Sequence, residues 1–238
     1  LFQQGSAKAM LPATHGAVPE VVFLNTSGGL TGGDRVSFEL DVADGATAMA
    51  ATQTAERVYA SAHGVARADV RITVGEGATC FWLPQETIVF DRGALSRETH
   101  VALEKGARLL GVETLVFGRR AMGETVARGA LNDVRRVMRN GRLVHAEHVG
   151  VDTPFFADAG ARAGLAGARV VASLVYIAGD AEDRLAGVRK VIGDEAGASA
   201  WNGRLVVRMM HEDSWIVRHC IGRVIRLLAG RVPRVWQM

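Results

Sequence analysis

The chain has 238 residues, 48% hydrophobic and 22% charged, with a formal charge of +3, the composition of an ordinary globular protein with a full core. Its longest apolar stretch, Val170–Ala178, is less than half of what a helix needs to cross roughly 30 Å of hydrocarbon, so a membrane partner is not expected. Cys80 and Cys220 stand far apart with no C-x-x-C spacing, which argues against a zinc finger or a disulfide framework and for a reducing, cytoplasmic setting.

The opening "LFQQGSAKAMLP" has neither an initiator Met nor the pattern of a signal peptide and reads as a chain already under way. Next comes "FLNTSGGLTGGDRVSF" (23–38), glycine-rich between two apolar runs. It lacks the Lys and hydroxyl of a phosphate-binding loop, no helix pattern follows, and Asp34 would repel an anion; the reading is a tight turn between strands ending at Asn25 and beginning near Val36. Val36, Phe38, Leu40 and Val42 alternate with polar residues, as do Val70, Ile72 and Val74, the pattern of half-buried strands. Three turns of one type follow such runs: "DGATAMA", "EGATCFW" and "KGARLLG", with glycines at 45, 77 and 106. That regularity predicts one supersecondary unit used three times.

Each unit then carries a glutamate at the opening or centre of a second strand, in "AERVYA", "QETIVF" and "VETLVF". Strand alternation predicts that Glu86 shares a face with Ile88 and Phe90, Glu113 with Leu115 and Phe117, and Glu56 with Val58. Stacked units would aim three carboxylates into one interior; the competing reading places each at a strand entrance in contact with solvent. Further on, "DTPFFADAGARAGLAGA" (152–168) is small-residue rich and is expected to be mobile or ordered by a partner. "ARVVASLVYIA" and "GRLVVRMM" read as strands. A helix is expected after Asp180, burying Leu185, Val188, Val191 and Ile192, and another after Asp213 or Ser214, burying Ile216, Val217, Cys220, Val224 and Leu228 and stopping at Gly230. The predicted fold is mainly β, a stacked, helical arrangement of strands with two α-helices in the C-terminal third. It forms a single domain over 1–238, with a β-repeat portion (1–150) and a strand/helix portion (151–238).

No nucleophile elbow is present, Cys80 reads as a packed strand residue, and His145 and His148, three apart on a strand, face opposite sides and are poorly placed to share a metal. Seven arginines from Arg204 onward make the C-terminal stretch basic; a solvated helix face is the preferred reading over a nucleic-acid patch. A small β-rich hydrolase using paired glutamates as acid and base stands as an alternative.

The strings "LNTSGGLTGGD", "TQTAERVYAS", "WLPQETIVFD", "FGRRAMGE" and "PRVWQ" resemble the urease accessory protein D family, UreD or UreH, in order and from about Gly16 to the end. One departure is Arg92 in "FDRGALSR", where the family usually has a small residue. The resemblance implies a non-catalytic scaffold, with no tightly bound cofactor, that works with UreF and the GTPase UreG on apo-urease and passes nickel transiently through an internal tunnel. By that resemblance Glu56, Glu86 and Glu113 become candidates for the nickel path, joined by Asp34, Asp91 and Glu124 because they sit inside the matching strings. Arg218, Arg223 and Arg226, on the polar side of the last helix, are candidates for contact with an acidic partner surface.

Overall fold

The computed structural model describes residues 1–13, 16 and 18–237. In chain order its strands are β1 (Ala7–Met10), β2 (Glu20–Asn25), β3 (Arg35–Val42), β4 (Thr47–Thr52), β5 (Glu56–Val58), β6 (Ala66–Val74), β7 (Thr79–Trp82), β8 (Thr87–Val89), β9 (Ala94–Leu103), β10 (Arg108–Phe117), β11 (Ala130–Arg139), β12 (Arg142–Asp152), β13 (Val170–Ile177), β14 (Gly197–Trp201) and β15 (Arg204–His211). The helices are α1 (Thr153–Ala157), α2 (Ala181–Ile192) and α3 (Ser214–Ala229).

Two sheets stack face to face. One runs β1-β2-β4-β7-β10-β13-β15-β14, with the short β5 and β8 continuing beside β10; the other runs β12-β11-β9-β6-β3. The predicted repeat is a coil: β3, β6 and β9 lie parallel in the second sheet, and each turns through a Gly-Ala corner into β4, β7 or β10, which lie parallel in the first. The corners stack on one another. The Gly45 N–H donates to the Glu76 carbonyl at 2.8 Å and the Gly77 N–H to the Lys105 carbonyl at 2.9 Å. Gly45, Gly77 and Gly106 hold φ of 65°, 65° and 71°, a conformation that a side chain resists. Repetition of the sequence and repetition of the hydrogen bonding therefore have one cause.

The coil continues through β11, which joins β9 in parallel, and ends there: β12 returns antiparallel, and β13, β15 and β14 extend the first sheet antiparallel beyond β10. The helices α2 and α3 cover the outer face of that sheet, burying Val188, Ile192, Val217, Cys220, Val224 and Ile225 against Leu174, Leu205 and Val207. Asp213 caps α3 as expected, accepting from the Trp215 N–H at 2.8 Å, and Gly230 ends it at φ 76°. Asp180 precedes α2 but its carboxylate does not cap; it is taken by the Tyr176 hydroxyl at 2.9 Å and Arg184 Nε at 2.8 Å. Segment 152–168 forms α1 and a run of turns whose Phe156 and Leu165 are buried in the inter-sheet core, so its small residues surround two anchors.

The glycine-rich loop carries the chain from the first sheet to the second and is packed. Leu30 is buried and bridges Val58, and a Cβ on Gly32 would fall 2.0 Å from the His63 carbonyl oxygen. Close approach of backbone to backbone is the reason for glycine there. Arg92 holds φ 63°, which accounts for the small residue that the resemblance leads one to expect at that position.

Candidate functional site

Between the sheets the apolar packing is split in two. One cluster, around Val70, Ile72, Trp82, Leu103 and Leu109, lies at the Gly-Ala corners; another, around Val58, Val89, Leu95, Leu115 and Leu131, lies at the opposite end. The layer between them is charged. On the second sheet it comprises Arg97 and Thr99 of β9, Asp133 and Arg135 of β11, and His145 and Glu147 of β12; on the first, Thr87, Glu113 and Ser173. Each β9 and β11 member occupies a position where alternation would otherwise put an aliphatic residue against the opposing sheet.

Arg97 is the hub. Its Nε and Nη2 donate to the two oxygens of Asp133 at 3.0 and 2.7 Å, and Nη1 donates to Thr87 Oγ1 at 3.0 Å. The same Nη1 lies 2.8 Å from Glu113 Oε2, but its N–H is not aimed at that oxygen, which is left without a hydrogen bond. Glu113 Oε1 accepts from Trp82 Nε1 at 3.2 Å. The charges continue: Arg135 Nη2 meets Asp133 Oδ2 at 2.6 Å, Arg135 Nη1 reaches Glu147 Oε2 at 3.1 Å, and Glu147 Oε1 takes Arg208 Nη2 at 2.7 Å beside the Ser173 hydroxyl. Arg208 is exposed on a groove of about 770 Å³ that Glu113, Arg135 and Glu147 also border. At the other end Glu56 accepts from Asn25 Nδ2 at 3.2 Å, borders a cavity of about 240 Å³, and lies close enough for its charge to act on Arg97.

The acids of this seam do not share one protonation behaviour. Burial works against ionised Asp133, yet Arg97 and then Arg135 outweigh it and hold its carboxyl well below the usual range. Glu147 follows the same logic, with burial opposed by His145, Arg135, Arg208 and Ser173, and is drawn down to about 2. Burial dominates at Glu56 and raises its carboxyl above the usual value. A cavity of about 30 Å³ lies against Thr99, Glu113, Arg135, His145 and Glu147. Among the described residues the buried Thr99 Oγ1 has no hydrogen-bond partner, and His145 Nε2 lies 3.7 Å from Glu147 Oε2. That is room and polarity for water or a small ion.

The predicted site residues separate into groups. Glu56 and Glu113 do face the seam. Glu86 does not: across the parallel strands Val58, Val89 and Phe117 are level, so Glu56 is level with Thr87 and Leu115, and Glu86, one residue out of step, projects from the opposite face. There it meets Arg218 Nη1 at 3.4 Å beneath α3. A one-residue offset in an otherwise similar string reverses the face, so the expectation of three glutamates on one face is corrected for Glu86. Asp34 is exposed and accepts from the Thr31 N–H at 2.8 Å; Asp91 accepts from the Ala127 and Arg128 N–H groups at 2.9 and 2.8 Å; Glu124 pairs with Arg119 at 2.8 Å. The backbone donors on Asp91, led by Arg128, and the Arg119 hydrogen bond on Glu124 hold both carboxyls below their usual values. All three acids organise loops. Arg218 ties α3 to Gln85 and to the Val235 carbonyl and stacks 4.9 Å from the Trp236 ring, Arg223 pairs with Glu195 at 2.9 Å, and Arg226 is exposed. His145 is buried in the seam while His148 bonds Asn132 outside it, as their spacing predicts.

Sequence reasoning missed Arg97, Asp133, Arg135 and Glu147. For the first three the signal was present: "LSRETHVAL" and "LNDVRRV" each place charged or polar residues in the parity of the buried aliphatics. Among the described residues no group of three His, Cys, Asp or Glu side chains is assembled to hold a metal, and no helix is long and apolar enough to cross a membrane. Cys80 is buried, and desolvation pushes its thiol up to about 12, so it is an inert packing residue.

Fold and seam together define a coiled two-sheet protein whose distinctive chemistry is a buried file of alternating acids and arginines. Residues 1–237 match the family described as UreD urease accessory protein, and the chain belongs to that family. It is 51% identical over 241 residues to the urease accessory protein UreD of Cereibacter sphaeroides (strain ATCC 17025 / ATH 2.4.3), an alignment covering 100% of this chain and 88% of the relative. The UreD of Dinoroseobacter shibae is 48% identical, covering 100% of this chain and 85% of that protein, and that of Rhizobium leguminosarum bv. trifolii is 43% identical, covering 100% and 88%.

Proposed function

We propose that this protein is a non-catalytic scaffold in the GTP-dependent insertion of nickel into apo-urease, working in the cytoplasm with UreF and the GTPase UreG, and that nickel travels along the seam between its sheets. The observation that carries the reading is the set of inward-facing carboxylates, Glu113 and Asp133 buried and Glu56 and Glu147 half-buried, with a cavity at Glu56 and a groove at Glu147. Ionic groups so placed are a poor way to stabilise a core, because desolvation offsets their attraction, and their presence asks for another role. Oxygen donors suit transit: they hold a divalent ion more loosely than a His or Cys cage and so let it leave. Glu86, Asp34, Asp91 and Glu124 fall outside the path in this reading. The hydrolase alternative loses its acid pair, since Glu86 faces away from Glu113 and Glu113 lies against a fixed positive charge.

The test is co-expression of urease and its accessory proteins with Glu113→Gln in this chain. Urease should accumulate to the normal level with its nickel content lowered several-fold, while Glu86→Gln, on the helix side, leaves nickel loading unchanged. Full nickel loading with Glu113→Gln would sink the transport route.

A further inference from the structure

The arginines pose a difficulty for any cation moving through this seam, and the difficulty is informative. Every fully buried carboxylate on the route already has a guanidinium beside it. Arg97 holds both oxygens of Asp133, reaches Thr87 Oγ1, and keeps Nη1 2.8 Å from Glu113 Oε2. Two cations cannot occupy that space at low dielectric without strong repulsion. We propose that the Arg97 guanidinium stands in a latent divalent-cation site made by Glu113, Asp133 and Thr87, and that its displacement opens the seam. This inference rests on the seam being a nickel path.

Three observations beyond the acidic cluster itself point to a missing ligand. Glu113 Oε2 is buried and has a cation within contact distance but no hydrogen bond, so its lone pairs are open to a second partner. Thr99 Oγ1 is likewise buried and has no partner among the described residues, and it lines the 30 Å³ cavity that Glu113 borders. Finally, Arg97 has an alternative acid to follow. Glu56 is paired across β5 and β8 with Thr87, which Arg97 already bonds, so a swing past Thr87 towards Glu56 keeps the guanidinium paired while uncovering Glu113 and the Oδ1 of Asp133, whose Oδ2 stays with Arg135. Opening by loss of the charge is not available, because Asp133 and Glu113 more than offset burial and hold the guanidinium protonated. The device therefore acts by exchange of one cation for another: nickel enters the carboxylate pair as the tethered cation leaves it. It also keeps the resting seam from collecting abundant divalent ions.

The experiment is a titration of the full chain with nickel chloride, read by calorimetry and by tryptophan emission. Trp82, hydrogen-bonded to Glu113, serves as the local reporter. Arg97→Gln is expected to gain one nickel site per chain with a Kd at least tenfold below that of any site in the wild type. Quenching of the emission should accompany it and be abolished by Trp82→Phe. The gained site should vanish in Arg97→Gln/Glu113→Gln, while Arg97→Lys, which keeps the charge, should titrate like the wild type. If Arg97→Gln does not fold, Arg97→Gln/Asp133→Asn restores the charge balance and should show a weaker site that still depends on Glu113. Identical titrations of the wild type and the folded neutral variant, or a gained site that survives loss of Glu113, would overturn the proposal. Normal urease nickel content with Glu113→Gln, beside a gained site in Arg97→Gln, would instead remove the transport reading and leave the latent site standing.

Discussion

The first sheet has two faces, and they are packed on opposite principles. Towards α2 and α3 it presents Leu110, Val112, Leu174, Leu205 and Val207 to Val217, Ile221, Val224 and Ile225, an apolar layer. Towards the second sheet the aliphatic packing stops half-way and a layer of ions takes its place before aliphatics resume. The apolar face gains free energy from each buried methylene, whereas the ionic layer sets desolvation of every charge against its attraction to a neighbour. A protein that needed only a core had a cheaper solution available on its own other face. The contrast teaches that one sheet can be packed on two terms, by burial of methylenes towards the helices and by charge against charge towards the other sheet.

The sharpest way to break this comparison is to strip one ion from the seam. Arg97→Met should lower stability by about 3–5 kcal/mol, because Asp133 and Glu113 are left buried and uncompensated. Replacing all three, as Arg97→Met/Glu113→Leu/Asp133→Leu, should recover most of that loss or exceed the wild type, again on the scale of about 1–4 kcal/mol. Denaturant unfolding measures both, and a triple variant no more stable than the single one would show the ions to be structural after all.

A smaller effect comes from Glu147→Gln, which leaves the donors of Arg135, Arg208 and Ser173 only partly satisfied, at a cost of about 1–3 kcal/mol near neutral pH. The sign of its pH dependence follows from the depressed carboxyl. Glu147 is held at about 2 in the fold against an ordinary value of 4.5, so its stabilising contribution is full above roughly 4.5 and is lost as pH falls towards 2. The variant and the wild type should converge in thermal midpoint over that interval. A gap of constant size from pH 7 to pH 2 would contradict the ionic account. The smallest effect belongs to the corners that shape both faces: Gly77→Ala, at φ 65° with open space around the added methyl, should cost about 1–2 kcal/mol through backbone conformation alone and leave nickel loading untouched.

Much of the coil was legible in the chain. The alternation of Val36, Phe38, Leu40 and Val42 and the recurrence of Gly-Ala at 45, 77 and 106 predict strands and corners that the fold contains, because both signals are local. The helices over 181–192 and 214–229 were legible for the same reason, through their apolar faces and, for α3, the Asp213 cap and Gly230 stop. The site was legible only in part. Glu56 and Glu113 were recognised as strand glutamates, but Glu86 differs from them by one position of register, and a string comparison does not register a slip that reverses a face. Arg97, Asp133 and Arg135 look like exposed charges until β9 and β11 are laid against β10.

By itself, then, the sequence determined the family, the strand periodicity, the glycine corners and the two late helices, since each depends on residues within a few positions of one another or on strings kept in order. Which strands stand side by side, which acids meet which arginines, and the split of one core into two clusters with ions between them were decided only by the tertiary structure. The reason is physical: the face a strand residue takes is set by pairing with a neighbour some thirty positions away, and a charge becomes buried or solvated by what the opposite sheet places above it.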